Sequence, residues 1–435
     1  MSQLTINRIE PWAPHPAAAP LTEKTGDQLA ASSNGTRTCV GGWQIVYHGV
    51  QPGSRYTIEW DAQFSDLDHP RVSLRGKVYW EDLKPDTSRP KGEWHYLLPE
   101  IDTDHVTFHR SLVAPSDVTH LTIRSTFRWS SKGEGVWSMP RIVASDADGG
   151  PETTRVAVIT GTVTDRRQKY ETMQDNIDLY FPLCESAIAD GAQLVCLPEI
   201  ALQYGMQGHA LDLAVSLEAP EVQRFAKLAA SSGALILLGL FERDGDAVHN
   251  TAVLFGPSGQ IGRYHKVHLA VGGESESGIL PGDGFPVFST DLGRVGCNIC
   301  MDSSAAESSR SIGLAGADFL MLPIMGDHRA DRWSKGSPVF NEGRWKAIMR
   351  TRAIDNQLCM IVARNTSQGS CIIDRKGDIL AWNEGDQGYI SADVQLNDGY
   401  RTWNGGCFTD VNWMQRRPHI YGEYANEENV GSLTS

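Results

Sequence analysis

The 435-residue chain is long enough for two domains, each with its own core. With 40% hydrophobic and 21% charged residues it has the make-up of an ordinary globular protein, which excludes disorder and fibrous architectures. A formal net charge of −14 leaves no overall basic footprint for nucleic acid or an anionic membrane, so a small molecule or a neutral polymer is the expected partner.

From the start, "MSQLTINRIEPWAPHP" lacks the basic and apolar regions of a secretory signal. No later run approaches the roughly 20 apolar residues needed to cross a bilayer. The eight cysteines are scattered, mostly inside apolar runs such as "QLVCLPEI", so a reducing, cytoplasmic setting is expected. Between about residues 38 and 145, short runs rich in aromatic and β-branched residues recur between turn signals, among them "GWQIVYHGV", "RYTIEWDAQF" and "HLTIRSTFRW". This spacing predicts an antiparallel sandwich or jelly roll. Trp43, Trp60, Trp80, Trp94, Trp129 and Trp137 recur along it. Most should be core, and the surplus should face the second domain or a neighbouring subunit. A glycan-binding role is the lesser reading.

"ASDADGGPETT", Ala144 to Thr154, reads as a linker. Beyond it strands and helices alternate: "RVAVITGTV", a helix over Gln168 to Asp190, "AQLVCLPEI", a helix over Glu218 to Ser231, and "ALILLGLFER". A hairpin "NTAVLFGPSGQIGRYHKVHL", the strand "GRVGCNIC", a helix from Ala305 to Ala315, the strand "DFLMLPI", the helix "GRWKAIMRTRAIDNQ" and a closing strand and hairpin complete a layered α/β pattern. The expected division is 1–150, 151–397 and a tail 398–435.

Three segments carry chemistry. In "GRVGCNICMDSS", Cys297 and Cys300 fall on opposite faces of a regular strand, so they cannot form one metal clip. Cys300 lies at the carboxyl end of that strand, where α/β sheets place their reactive groups. A lone cysteine is ordinarily a small apolar filler. However, Glu199 directly follows the apolar strand of "LVCLPEI", where an unpaired carboxylate is costly, and Lys266 closes the strand of "GRYHKVHL".

A Glu after an apolar strand, a Lys followed two positions later by His, and a Cys followed by one residue and Asp stand here in an order that resembles the nitrilase, or carbon–nitrogen hydrolase, superfamily. The resemblance spans about Arg155 to Asp393 and includes "RWKAIMRTRAIDNQ", "VARN" and "IIDRKGDILAW". It implies a four-layer αββα sandwich hydrolase domain, preceded here by the jelly-roll-like β-sandwich. It also implies hydrolysis of non-peptide C–N bonds with no metal or cofactor. Cys300 is then the nucleophile, Glu199 the base and later acid, Lys266 the oxyanion-stabilising cation, and the Met301 N–H a second oxyanion donor. An adjacent base or cation should favour the Cys300 thiolate. A second glutamate near the lysine is implied, and Glu274 and Glu276 both qualify.

Two departures reshape the expected pocket wall. Met301 replaces an aromatic residue, and Ala305-Ala306 replaces Phe-Pro. The loop "IMGDHRADRWSKGSPVFNEGRW", with His328, Arg329, Arg332 and Trp333, is expected either to line the substrate site or to contact a subunit. The tail "WMQRRPHIYGEY" resembles a segment that packs on a partner subunit, so a homo-oligomer is expected. The activity expected is an amidase on a small amide or carbamoyl compound. Nitrile hydrolysis, or a glycan-binding protein carrying an idle hydrolase fold, stands as the alternative.

Overall fold

The computed structural model of the chain describes residues 4–86, 92–146, 153–160, 171–271, 273–325, 340–365, 368–396, 406–407 and 409–422. The chain divides into two units, Met1–Gly149 with Tyr400–Ser435, and Gly150–Gly399.

In the first unit two antiparallel sheets share one core. One has the order Thr5–Trp12, Val40–His48, His120–Arg128, Leu74–Tyr79, Trp94–Tyr96. The other runs Leu21–Thr25, Gln28–Ser32, Glu134–Trp137, Arg55–Ser65, His105–Val113, Leu98–Ile101, with Arg141–Ser145 also paired to Arg55–Ser65. Alternation decides what is buried. Tyr56, Ile58, Trp60 and Ala62 point inward from one sheet, and Ile45, Val78 and Ile123 meet them from the other. The unit's strands begin at Thr5, ahead of the runs expected from about residue 38. Its first strands read "TINRIEPW" and "LTEKT", half polar and largely exposed, so they lack the apolar alternation of a central strand.

Five of the six tryptophans, all but Trp129, are buried within this unit. A surplus of indoles facing outward is therefore not found. The described part of the tail packs on the same unit. Gly406 bridges to Trp94, and Val411 and Met414 lie against Tyr79, Leu83, Trp94 and Tyr96. Asp410 is buried there, bound to Arg110, to His95 Nδ1 at 3.1 Å and to the Tyr96 N–H at 3.2 Å.

The second unit holds two six-stranded mixed sheets. One has the order Gly259–His265, Ala247–Gly256, Leu235–Asp244, Leu194–Cys196, Thr153–Ile159, Tyr389–Gln395. The other runs Val287–Thr290, Gly293–Cys297, Phe319–Ile324, Cys359–Arg364, Cys371–Ile373, Ile379–Trp382. Their central strands are parallel and buried on both faces, which is why they read as unbroken apolar runs. Val156 and Val158 pack with Val295, Phe319 and Ile361 between the two sheets. Ala157 and Ile159, one residue out of phase, pack instead against the helices Met173–Ala189 and Pro220–Ser232. Leu320, Leu322 and Val362 meet the helices Ala306–Leu314 and Glu342–Asn356 in the same way. The helix expected from Gln168 starts at Met173. Asp175 ties its start down, accepting from the Thr172 N–H at 2.9 Å and the Thr172 hydroxyl at 3.0 Å. Among the described residues no helix is long and apolar enough to cross a membrane.

Candidate active site

Glu199 is set by a sharp reversal after the strand Leu194–Cys196. Ile200 holds a left-handed φ of 44°, a strained conformation for a β-branched residue. The reversal runs close over the neighbouring strand at Gly239, where a Cβ would lie 2.4 Å from the Pro198 carbonyl oxygen and 3.1 Å from Glu199 Cα. Only glycine admits this approach. Glu199 is 3% exposed, and its backbone carbonyl accepts from Asn365 Nδ2 at 3.0 Å.

Lys266 follows the strand Gly259–His265 and is fixed through its own backbone. Its N–H donates to the Asn250 carbonyl and its carbonyl accepts from the Gly282 N–H, both at 2.9 Å. Its Nζ reaches Glu199 Oε1 at 2.8 Å and Glu274 Oε2 at 2.6 Å. Asn250 Nδ2 bridges the same two carboxylates, at 2.8 Å from Glu199 Oε1 and 2.6 Å from Glu274 Oε1. The Ala270 N–H completes Glu274 at 2.8 Å, and the Met325 N–H completes Glu199 Oε2 at 2.5 Å. Burial alone would lower the Lys266 pKa, but Glu199, Cys300 and Glu274 outweigh it and push it well up, so the ammonium is retained.

The strand carrying the cysteines stops at Cys297, and Cys300 stands in the helical turn Cys300–Ser304 with φ of 44°. Strand alternation thus ends before Cys300. Cys297 is fully buried filler. Asp302 ties the turn to the lysine segment. Its oxygens accept from Tyr264 Oη at 2.7 Å, the Ile299 N–H at 2.8 Å, and the N–H and Nδ1 of His268 at 2.9 and 2.8 Å. The second members of the Lys-x-His and Cys-x-Asp pairs therefore meet each other. Burial, with the Glu199 carboxylate adding to it and Lys266 opposing, pushes the Cys300 thiol up. This reverses the expectation of a resting thiolate. Lys266 is already engaged by two carboxylates, so its charge is not free to offset burial.

The structure therefore gathers Glu199, Lys266 and Glu274 into one hydrogen-bonded cluster, with Cys300 in electrostatic reach of it. Glu276, at the far end of the turn Glu274–Glu276, is exposed and takes no part in these bonds. The Met301 N–H has no acceptor among the described residues. His328, Arg329, Arg332 and Trp333 lie outside the described residues. Sequence reasoning missed Asn250, Asn365 and Tyr264. The available signal was a polar residue at the border of an apolar run, as in "HNTAVLF" and "VARN".

One set of metal-type ligands occurs among the described residues, in the first unit: His95, Cys407 and Asp410, with ligand atoms within 4.8 Å of one another. The Arg110 guanidinium already neutralises Asp410, which leaves little there to attract a second cation.

Residues 155–403 match the family model for carbon–nitrogen hydrolases. A nitrilase from Pyrococcus abyssi is 36% identical over 146 residues, 32% of this chain, and the match spans only 55% of that relative. An omega-amidase from Xenopus tropicalis is 28% identical over 242 residues, 51% of this chain and 83% of its own length. A citrullinase from Francisella tularensis is 29% identical over 267 residues, 54% and 88% of the two chains. Among solved structures, a mutant of the Nesterenkonia AN1 amidase from the nitrilase superfamily covers 63% of this chain and 98% of its own, at 20% identity and a TM-score of 0.49. By its family match, which covers more than half of its length, the chain belongs to the carbon–nitrogen hydrolases, enzymes that act on C–N bonds other than peptide bonds.

Proposed function

We propose that the chain is a cysteine amidase converting a small amide or carbamoyl compound to an acid and ammonia or an amine, on a four-layer αββα frame. The observation that carries this reading is the buried ammonium of Lys266, held between Glu199 and Glu274, with Cys300 in electrostatic reach and its thiol pushed up by burial. The thiol keeps its proton until substrate arrives. As Sγ bonds to the carbonyl carbon, the proton passes to Glu199, and the carbonyl oxygen takes up the negative charge. Lys266 Nζ and the Met301 N–H are the donors for that oxyanion. Collapse of the intermediate breaks the C–N bond, and Glu199 returns the proton to the leaving nitrogen. A thioester remains. Water, giving a proton to Glu199, attacks it; the C–S bond breaks, the acid leaves and Cys300 regains its proton. Glu274 takes no proton in this scheme. With Asn250 it fixes the ammonium so that Lys266 need not reorganise during the reaction.

The matches to an omega-amidase and a citrullinase, which run over 83% and 88% of those proteins, favour amide and ureido substrates over nitriles. The test is ammonia release from a panel of ω-amides, ureido acids and nitriles. Release from an amide or ureido acid, faster than from any nitrile, supports the reading. Release from nitriles alone contradicts it, and silence on the whole panel favours the idle-fold alternative.

A further inference from the structure

The outer face of the five-stranded sheet carries a concentration of positive charge that the hydrolase chemistry does not use. In the strand Leu74–Tyr79, Leu74 and Val78 face the core, so Arg75, Lys77 and Tyr79 face outward. Lys77 stands between Arg124 and Tyr96 in register, and Arg75 stands opposite Thr126, two residues from Arg128. Like charges placed side by side on a sheet repel, and more strongly where water is excluded.

The cations are not matched by acids. Among the described residues Arg75, 2% exposed, donates only to backbone carbonyls, of Leu74 at 3.0 Å and Met414 at 3.2 Å, and its buried Nε has no partner. Lys77 Nζ lies 4.8 and 4.5 Å from the ring centres of Trp94 and Tyr96. Arg128 Nε donates to the Val72 carbonyl at 3.0 Å. None of these three meets a carboxylate within ion-pair distance among the described residues. The tail adds more positive charge. Arg417 acts on Arg128. In a chain of net charge −14 this is a local and opposite field. Its strength shows in Tyr96: burial alone would raise the phenol, yet Lys77, Arg128 and Arg75 together lower it.

We propose that Arg75, Lys77 and Arg128, with the Tyr96 hydroxyl, bind a phosphate group, free or carried by a small molecule, under the tail segment that includes Met414. A carboxylate brings one charge, whereas three converging cations call for a dianion. Tetrahedral phosphate oxygens accept guanidinium and ammonium donors from several directions at once.

The test uses the full chain and matched ionic strength. Inorganic phosphate and adenosine monophosphate are titrated calorimetrically, and each is added in thermal melts against sodium chloride. At least one should bind and raise Tm. Phosphate alone identifies a site for the free ion, and the monophosphate alone identifies an esterified ligand. Arg128→Gln and Lys77→Gln should each weaken binding about tenfold or more. Lys132→Gln, at an exposed lysine paired with Asp66 and Asp68, should not. Because the readout is the ligand-induced difference in Tm, a lower starting stability in a variant does not obscure it. The proposal is overturned if neither compound binds, if both variants bind undiminished, or if neutral-pH tyrosinate absorbance lost in Tyr96→Phe accounts for the counter-charge without phosphate binding.

Discussion

Asn250 Nδ2 lies 2.8 Å from Glu199 Oε1 and 2.6 Å from Glu274 Oε1, so one neutral amide donates to the two carboxylates that also hold Lys266. Its role is electrostatic as well as geometric, because two acids around one ammonium repel each other unless donors lie between them. Asn250→Ala should lower kcat/KM for an amide by about 10- to 100-fold, the worth of a hydrogen bond to a charged group. Asn250→Asp should do more damage. A third carboxylate raises the pKa of its neighbours, and the acid limb of the kcat/KM profile should move to higher pH. Steady-state ammonia release across pH checks both.

The close approach at Gly239 predicts a stability cost with a catalytic signature. In Gly239→Ala the new methyl meets the Pro198 carbonyl oxygen at 2.4 Å, and backbone rather than a flexible side chain must move. The expected loss is about 1–3 kcal/mol in a urea titration. Activity should fall further than the folded fraction, since the displaced segment carries Glu199.

Buried thiols predict alkaline instability. Burial raises Cys297, Cys359 and Cys371 from 9.0 to about 12, and Cys184, Cys196 and Cys300 also lie above their ordinary value. A raised folded-state pKa stabilises fully below the unfolded value, and that stabilisation is lost as pH rises toward the folded one. Between about pH 9 and 12 each such thiol should remove about 1.4 kcal/mol per pH unit. Urea midpoints under reducing conditions should therefore fall steeply above pH 9. A flat profile to pH 11 would refute the burial of these thiols.

The tail predicts how the chain tolerates truncation. Asp410, buried, is neutralised by Arg110 and His95 of the first unit, and Val411 and Met414 cover its aromatic residues. A fragment 153–435 leaves that carboxylate and those side chains without partners, whereas a fragment 153–399 does not. Size-exclusion chromatography should find the longer fragment the more aggregated. Equal behaviour of the two would contradict this packing.

Much of the site is legible in the sequence. Glu199 and Cys300 follow central strands whose buried apolar runs mark them, whereas Lys266 follows the half-polar edge strand Gly259–His265 and is marked by the Lys-x-His spacing instead. What stayed hidden depends on contacts between distant segments. The sequence does not separate Glu274 from Glu276, since both are loop acids two residues apart, and only the turn that lets Glu274 meet Lys266 and the Ala270 N–H distinguishes them. Asn250 reads as an ordinary strand-border residue until Glu199 is seen against it. The strand Thr5–Trp12 went unread because an edge strand alternates weakly. The tail's place on the first unit rests on Asp410, whose partners Arg110 and His95 are some 300 residues away in sequence.

The central claim is that Cys300 attacks the C–N substrate while Glu199 takes its proton. Its most direct test is ammonia release by wild type, Cys300→Ala and Glu199→Gln on the best amide of the panel, with circular dichroism to confirm folding. Both variants should fold and release no ammonia above the buffer blank, and the double variant should be no worse than either alone. Sustained ammonia release by folded Cys300→Ala would contradict the account.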